Sequence, residues 1–154
     1  MSRVVALRSV EFGTYVSMNG IGITHHCEEP YKDTIKVAEH VQSLETFYPL
    51  RNPDGTFSFE STEFPNVFLT LNGHGVPPGT AIHGGGGYAA AQYTATAWEK
   101  FYIIKQDVIP GHFIECAAFR GRYLRIGGGL TPKVVNIQGV AGIGERIEIV
   151  NLDV

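Results

Sequence analysis

The chain has 154 residues, enough for one domain that buries most of its unfolded surface. Hydrophobic residues make up 44% and charged residues 18%, which is typical of a globular protein and excludes a largely disordered one. The net charge of −3 argues against a nucleic-acid-binding protein, which usually has a basic surplus. No stretch approaches the roughly 18–20 apolar residues that span a bilayer. We therefore expect one domain over residues 1–154, with no nucleic-acid partner and no membrane insertion.

The two cysteines, Cys27 and Cys116, are too few for a disulfide scaffold. They predict two thiols in a reducing compartment rather than a bridge. The N-terminal sequence "MSRVVALRSV" has no long apolar region and no small-residue cleavage pattern. These features predict a cytoplasmic protein and leave open release without a signal peptide.

Short segments rich in Val, Ile, Phe and Tyr alternate with Gly, Pro and Asn, which predicts an all-β protein. One pattern recurs along the chain: a strand, two aromatic residues, an alternating apolar pair, and an Asn-Gly or Gly-Gly turn. A second pattern, a glutamate followed two residues later by a large apolar residue, closes each unit. The units recur at intervals of roughly 45–55 residues. In chain order, the segments are "VALRSVEFGTYVSMNG" (5–20), "ETFYPL" (45–50), "FSFESTEFPNVFLTLNG" (57–73), "EKFYII" (99–104), "IECAAFRGRYLRIGGG" (114–129) and "ERIEIV" (145–150).

Three such units predict a β-trefoil: three four-stranded repeats that form a six-stranded barrel with a hairpin cap. The repeats are expected at approximately 4–55, 56–112 and 113–154. The turn glycines are expected to supply positive φ angles. Because Glu45, Glu99 and Glu145 recur with the repeat, we expect them to cap backbone N–H groups near the barrel rim rather than act as catalytic carboxylates. Trp98 is expected where barrel and cap meet.

The segments "LETF" (44–47), "WEKF" (98–101) and "GERI" (144–147) resemble the recurring strand of the fascin-like trefoil family. The resemblance covers essentially the whole chain. It implies a single-domain fungal fascin-like lectin or an actin-binding trefoil. Fascin itself has four trefoils in one chain, and ricin-type trefoils have Q-x-W where this chain has E-x-F or E-x-I. Neither the bundling geometry of fascin nor the sugar site of ricin-type trefoils can therefore be carried over to this chain.

The units differ most in the segment after the glycine turn. Loop one is "IGITHHCEEPYKD" (21–33), loop two is "HGVPPGTAIHGGGGY" (74–88), and the third unit has only about "LTPK" (130–133). Long loops on a rigid scaffold usually carry binding function. Aromatic and hydrogen-bonding side chains there suit a sugar or a protein partner. The candidate ligand-binding residues are His25, His26, Tyr31, Asp33, His74, His83 and Tyr88.

The sequence gives less support to a metal site, a catalytic dyad or a phosphate-binding loop. His25, His26 and Cys27 lack zinc-ligand spacing, although His74 and His83 leave a cross-loop metal site open. Adjacent residues on a loop rarely form a Cys–His dyad. The glycines of "HGGGGY" (83–88) lack the Gly-Lys-Ser/Thr of a phosphate loop and predict a flexible hairpin tip. The arginines of "FRGRYLR" (119–125) predict a solvated rim.

The sequence thus predicts a non-enzymatic lectin, without a cofactor, whose partner is a glycan or glycoprotein. The alternative is a protein that binds or crosslinks actin filaments, and crosslinking would need two sites or a homodimer. An enzyme or metal-binding protein built on loop one is the third hypothesis.

Overall fold

The computed structural model describes residues 3–28, 33–106, 110–129 and 133–152. These residues contain twelve β-strands and three short 3₁₀ turns. The strands are β1 (Val5–Ser9), β2 (Tyr15–Met18), β3 (Ile35–Ala38), β4 (Phe47–Arg51), β5 (Phe57–Ser61), β6 (Val67–Asn72), β7 (Tyr88–Tyr93), β8 (Phe101–Lys105), β9 (His112–Cys116), β10 (Tyr123–Ile126), β11 (Val135–Gln138) and β12 (Ile147–Asn151). The 3₁₀ turns are Ser43–Glu45, Ala97–Glu99 and Ile143–Glu145, each directly before the last strand of its unit.

Six strands close into a barrel. β1 pairs with β4 and β12, β5 pairs with β4 and β8, and β9 pairs with β8 and β12, all antiparallel. The other six form the hairpins β2–β3, β6–β7 and β10–β11. This confirms the predicted β-trefoil, while the residue numbers at which one repeat gives way to the next stay a prediction. None of the described helices is long and apolar enough to cross a membrane.

The repeated apolar positions form the core. The predicted strand pairs, such as Val16 with Met18 and Leu69 with Leu71, are fully buried. Phe101, which follows the repeated glutamate, is fully buried and stacks on Phe59 with ring centroids 6.1 Å apart. Period-two alternation therefore identified the buried face of these strands.

The turn glycines have a different purpose from the one predicted. Gly20, Gly73 and Gly128 do not have positive φ angles, so the expectation was wrong for them, whereas Gly129 at the end of the third segment does, with φ of 59°. Each instead faces the first aromatic residue of the next unit, and no Cβ would fit comfortably in between. The pairs are Gly20 with Phe64, Gly73 with Phe119 and Gly128 with Phe12, whose nearest side-chain atoms would lie 3.0, 3.1 and 2.7 Å from an added Cβ. The three units therefore interlock in a ring.

The repeated glutamates cap backbone groups, as predicted. Oε1 of Glu45 accepts the N–H of Gln42 at 2.8 Å, and Oε1 of Glu99 accepts the N–H of Thr96 at 2.8 Å. Glu145 accepts the N–H of its own turn in the same way. All three carboxylates are buried. Each fixes the entry into the last strand of its unit.

The arginine segment does not form a solvated rim throughout. Arg120 is exposed, pairs with Glu115 at 3.2 Å and lies over the ring of Tyr102. Nε of Arg122 donates to the carbonyl of Val76 at 2.7 Å. Arg125, however, is buried, so the prediction was wrong for that residue. Its Nη1 donates a hydrogen bond to Oδ1 of Asn136 on β11 at 3.2 Å.

Candidate functional site

Loops one and two begin with the same structure. The side chain of Asn19 accepts the N–H of Ile21, and the side chain of Asn72 accepts the N–H of His74. A turn then places a buried residue, Ile23 or Val76, beneath each loop. This shared start explains why "NGIGI" and "NGHGV" occur at matching places.

A glutamine of the next unit holds each of these loops. The amide of Gln92 accepts the N–H of Cys27 at 3.1 Å and donates to its carbonyl at 2.6 Å. The amide of Gln138 does the same to Ile82, with both distances 2.7 Å. Both glutamines are buried. The backbone of loop one is therefore fixed at Cys27, in the middle of "THHCEEP".

The third unit has no long loop, and the first unit has no glutamine at the position that would hold one. Gln92 and Gln138 pair with Phe68 and Tyr123, and the matching position opposite Tyr15 is Ala38. In sequence, the third unit has only about four residues, 130–133, where the other two units have the long loops. The glutamines and the long loops thus occur together.

The glycine run of loop two is not a projecting hairpin tip. Gly86 forms a β-bridge with Ile137, with N···O distances of 2.8 and 2.9 Å. The carbonyl of Gly84 accepts a hydrogen bond from Asn136. A Cβ at Gly85 would lie 2.6 Å from Asn136, so a side chain would prevent the contact. Glycine is present because the loop lies directly against β11.

The three hairpins meet around an open cavity of about 500 Å³, here called the axial cavity. It lies where β3, β7 and β11 begin, and these strands contact one another. Asp33, Lys36, Tyr88 and Lys133 line it together with apolar residues of the same strands. Its volume is within the roughly 300–1,000 Å³ typical of ligand sites.

The axial cavity combines an aromatic ring with charges of both signs. Asp33 is exposed and has a left-handed backbone with φ of 62°, which aspartate tolerates better than most residues. Lys36 and Lys133 are exposed, and Lys133 approaches Glu39 at 3.6 Å. The lining therefore includes a carboxylate, two ammonium groups and a tyrosine side chain.

A smaller cavity of about 180 Å³, here called the junction pocket, lies between loop one and the second unit. His26 and Glu28 line one side, and Trp98 and Glu99 line the other. Trp98 is half-buried, packs on Phe119 with centroids 5.5 Å apart, and accepts a hydrogen bond at its carbonyl from the cap strand β6. This confirms its predicted place where barrel and cap meet.

The predicted site residues divide among these places. Asp33 and Tyr88 meet in the axial cavity, although 55 positions separate them in the sequence (88 − 33). His26 lines the junction pocket, whereas His25, His74 and His83 are exposed and line neither cavity. Tyr31 lies outside the described residues.

Sequence reasoning missed Lys36 and Lys133 in one cavity and Trp98 and Glu99 in the other as lining residues. The signal for the lysines was present: residues at or beside the start of β3, β7 and β11 meet by symmetry. Trp98 and Glu99 had been assigned to structure alone, and only the packing of loop one places them beside a cavity.

Metal and nucleophile chemistry gain no support. Within residues 3–28, 33–106, 110–129 and 133–152, no three His, Cys, Asp or Glu side chains are grouped to hold a metal ion. Cys116 is buried as predicted, and burial raises the pKa of its thiol to about 12. It therefore carries no thiolate near neutral pH.

Neither a protein-family model nor a curated protein sequence matches this chain. Solved structures do match it. SeviL, solved with asialo-GM1 saccharide, has a TM-score of 0.71 at 10% identity and covers 99% of this chain and 100% of its own. The Rhizoctonia solani agglutinin has a TM-score of 0.67 at 14% identity, with 99% and 96% covered. The Macrolepiota procera ricin B-like lectin, solved with lactose, has a TM-score of 0.65 at 14% identity, with 99% and 98% covered. At these identities the likeness shows the fold alone.

Proposed function

We propose that this protein is a carbohydrate-binding protein, and that its glycan occupies the axial cavity. The observation that carries the proposal is the meeting of Asp33 and Tyr88, from two different units, in one open cavity. A tyrosine ring can pack on the C–H face of a sugar, and a carboxylate accepts hydrogen bonds from its hydroxyls. Lys36 and Lys133 add donors for ring or hydroxyl oxygens.

The structural neighbours support the same proposal. Two of the three reported above were solved with a saccharide, and the third is an agglutinin. Fascin-like membership, a cytoplasmic location and a homodimer stay predictions from the sequence.

The alternative of actin binding has weaker support. Actin is acidic, so a binding face would benefit from uncommitted cations. The arginine segment does not provide them, because Arg120 pairs with Glu115, Arg122 bonds the carbonyl of Val76, and Arg125 is buried.

We also propose that the axial cavity is not catalytic. Glycoside hydrolysis ordinarily uses two carboxyl groups on opposite sides of the scissile bond. Among the described residues that line the axial cavity, Asp33 is the one carboxylate. The arrangement suits binding rather than cleavage.

A glycan array tests the proposal. The wild-type protein should bind a defined set of glycans, and Tyr88→Ala and Asp33→Asn should each lose most of that signal. Asparagine also tolerates the left-handed backbone, so Asp33→Asn removes only the charge. His74→Ala is the matched control, because His74 is exposed and lines neither cavity. A blank array with folded protein, or unchanged binding by both cavity variants, would refute the proposal. Cosedimentation with filamentous actin would then support the alternative.

A further inference from the structure

Three rows of side chains cross the outside of the barrel, each over three neighbouring strands. The middle residue of each row is paired in register with a residue on either side, which places the Cβ atoms about 4.5–5.5 Å apart on one face of the sheet. These residues alternate with core residues such as Phe47 and Phe101 and therefore point away from the core. The rows are Tyr48–Glu60–Phe68 (the first row), Tyr102–Glu115–Tyr123 (the second row) and Glu148–Arg8–Tyr15 (the third row).

The second row holds an arginine of the chain itself. Nη2 of Arg120 lies 3.2 Å from Oε1 of Glu115, and its guanidinium carbon lies 4.4 Å from the ring centroid of Tyr102. The side chain of Arg120 is 65% exposed, whereas that of Glu115 is 6% exposed. A guanidinium thus reaches the carboxylate and the aromatic ring from the solvent side. Ion pairing and cation–π attraction act on it together.

The third row also contains its own arginine. Nη1 of Arg8 donates a hydrogen bond to Oε1 of Glu148 at 3.0 Å. In both the second and the third row, a carboxylate is therefore paired with an arginine of the same chain.

The first row lacks such an arginine. Pro65 stands in sequence where the second row has Arg120, since each directly follows the first aromatic residue of its unit, Phe64 or Phe119. Proline has neither a charge nor a side-chain donor. Within the part of the chain that the structure describes, no lysine, arginine or histidine forms a salt bridge with Glu60.

The carboxylate of Glu60 is nevertheless held as that of Glu115 is. Oε2 of Glu60 accepts the N–H of Asn66 at 2.7 Å, and Oε2 of Glu115 accepts the N–H of Gly121 at 2.8 Å. No side chain or backbone group of the described residues donates to Oε1 of Glu60. Glu60 and its neighbour Tyr48 are both half-buried, so a ligand can reach them from solvent.

The surroundings of the first row favour a polypeptide ligand over a small free cation. Leu50 lies two residues beyond Tyr48 on the same face of β4 and is 40% exposed. The aliphatic stem of an arginine, or the residue next to it in a chain, can cover Leu50 while the guanidinium contacts Glu60.

We infer that the first row binds an arginine side chain of a partner protein. The guanidinium donates to Oε1 of Glu60 and lies over the ring of Tyr48, in the arrangement that Arg120 adopts in the second row. A planar, weakly hydrated guanidinium suits this place better than the ammonium group of a lysine. The first row shares no residue with the axial cavity, so a glycan and a protein partner can be bound at the same time.

An amide beside the carboxylate reports on binding. Nitrogen-15-labelled protein is titrated with the acetylated and amidated tripeptide Gly-Arg-Gly. The N–H resonance of Asn66 should move along a saturating curve, because this N–H donates to Glu60. The N–H resonance of Gly121 is the internal control and should not move, because Arg120 already occupies Glu115. Gly-Lys-Gly should bind more weakly, and Gly-Glu-Gly should not bind.

A pair of charge-matched variants separates this contact from general electrostatics. Glu60→Gln should weaken the affinity for Gly-Arg-Gly by about fivefold or more, because a charged acceptor is replaced by a neutral amide. Glu63→Gln removes the same charge from an exposed position in the adjoining turn and should leave the affinity unchanged.

Two further variants exchange the properties of the rows. Arg120→Ala should vacate the second row, so that the Gly121 resonance also responds to Gly-Arg-Gly. Pro65→Arg should give the first row its own arginine and weaken binding of the peptide at Asn66.

Several results would overturn the inference: Gly-Arg-Gly leaves the Asn66 resonance in place, Gly-Lys-Gly binds as tightly, or folded Glu60→Gln binds as tightly as wild type. Where Glu60→Gln does not fold, unchanged binding by Pro65→Arg overturns it. A Gly121 resonance that stays in place in Arg120→Ala would show that such a row accepts an arginine only from its own chain, which also contradicts the inference.

Discussion

Gln92, the glutamine that holds loop one, should contribute measurably to the free energy of unfolding. Gln92 makes three hydrogen bonds through its amide: two to the backbone of Cys27, and one in which its Oε1 accepts the N–H of Tyr93 at 3.0 Å. Each such bond contributes about 0.5–1.5 kcal/mol net. Because Cys27 is only half-buried, water can replace part of the loss. Gln92→Ala should therefore lower the free energy of unfolding by about 2–3 kcal/mol.

Gln138 provides the matched control, because its amide makes the same three bonds: two to the backbone of Ile82 in loop two, and one in which it accepts the N–H of Gly139, the next residue. Urea denaturation followed by circular dichroism measures the loss of stability for both variants. Amide hydrogen exchange locates it: Gln92→Ala should speed exchange at Cys27 and not at Ile82, and Gln138→Ala should do the reverse. A stability change below about 0.5 kcal/mol, or equal exchange at both loops, would show that the glutamines do not hold the loops.

Three further predictions concern the scaffold. Gly128→Ala should lower the free energy of unfolding by about 1–3 kcal/mol, because the added Cβ would lie 2.7 Å from Phe12. Thermal denaturation measures the change, and an unchanged stability would mean that Gly128 and Phe12 are not tightly packed. In the folded protein at pH 8, a thiol reagent should modify Cys27 and spare Cys116, whose pKa is raised to about 12 by burial; equal labelling would contradict the assignment. Burial lowers the pKa of His112 below 6.5, so the unfolded chain binds its proton more readily and stability should fall as the pH drops from 6.5 toward the lowered pKa. His112→Gln should make stability less dependent on pH in this range. An unchanged slope of stability against pH would mean that other groups cause the dependence.

The fold could be predicted because its signals are repeated. Phe47, Phe101 and Ile147 stand at the same place in each unit, and repetition separates a structural pattern from chance. The capping function of Glu99 followed from the same logic, since a group needed three times is structural. The conformation of Gly20 could not be predicted, because the residue that it accommodates, Phe64, lies in the next unit and 44 positions away (64 − 20).

The candidate site was predictable only in part. Asp33 and Tyr88 were found because they end the long loops, but the sequence alone does not show that both loops end at the same cavity. The place of Glu99 beside the junction pocket was not predicted, because its recurrence in all three units had assigned it to structure alone.

A structure of the protein with the strongest ligand from the glycan array would show directly whether the axial cavity binds the glycan. We expect a sugar ring packed against Tyr88 in the axial cavity, with a hydroxyl within hydrogen-bonding distance of Asp33. A ligand bound away from the strand starts of β3, β7 and β11, or held in the junction pocket alone, would contradict it.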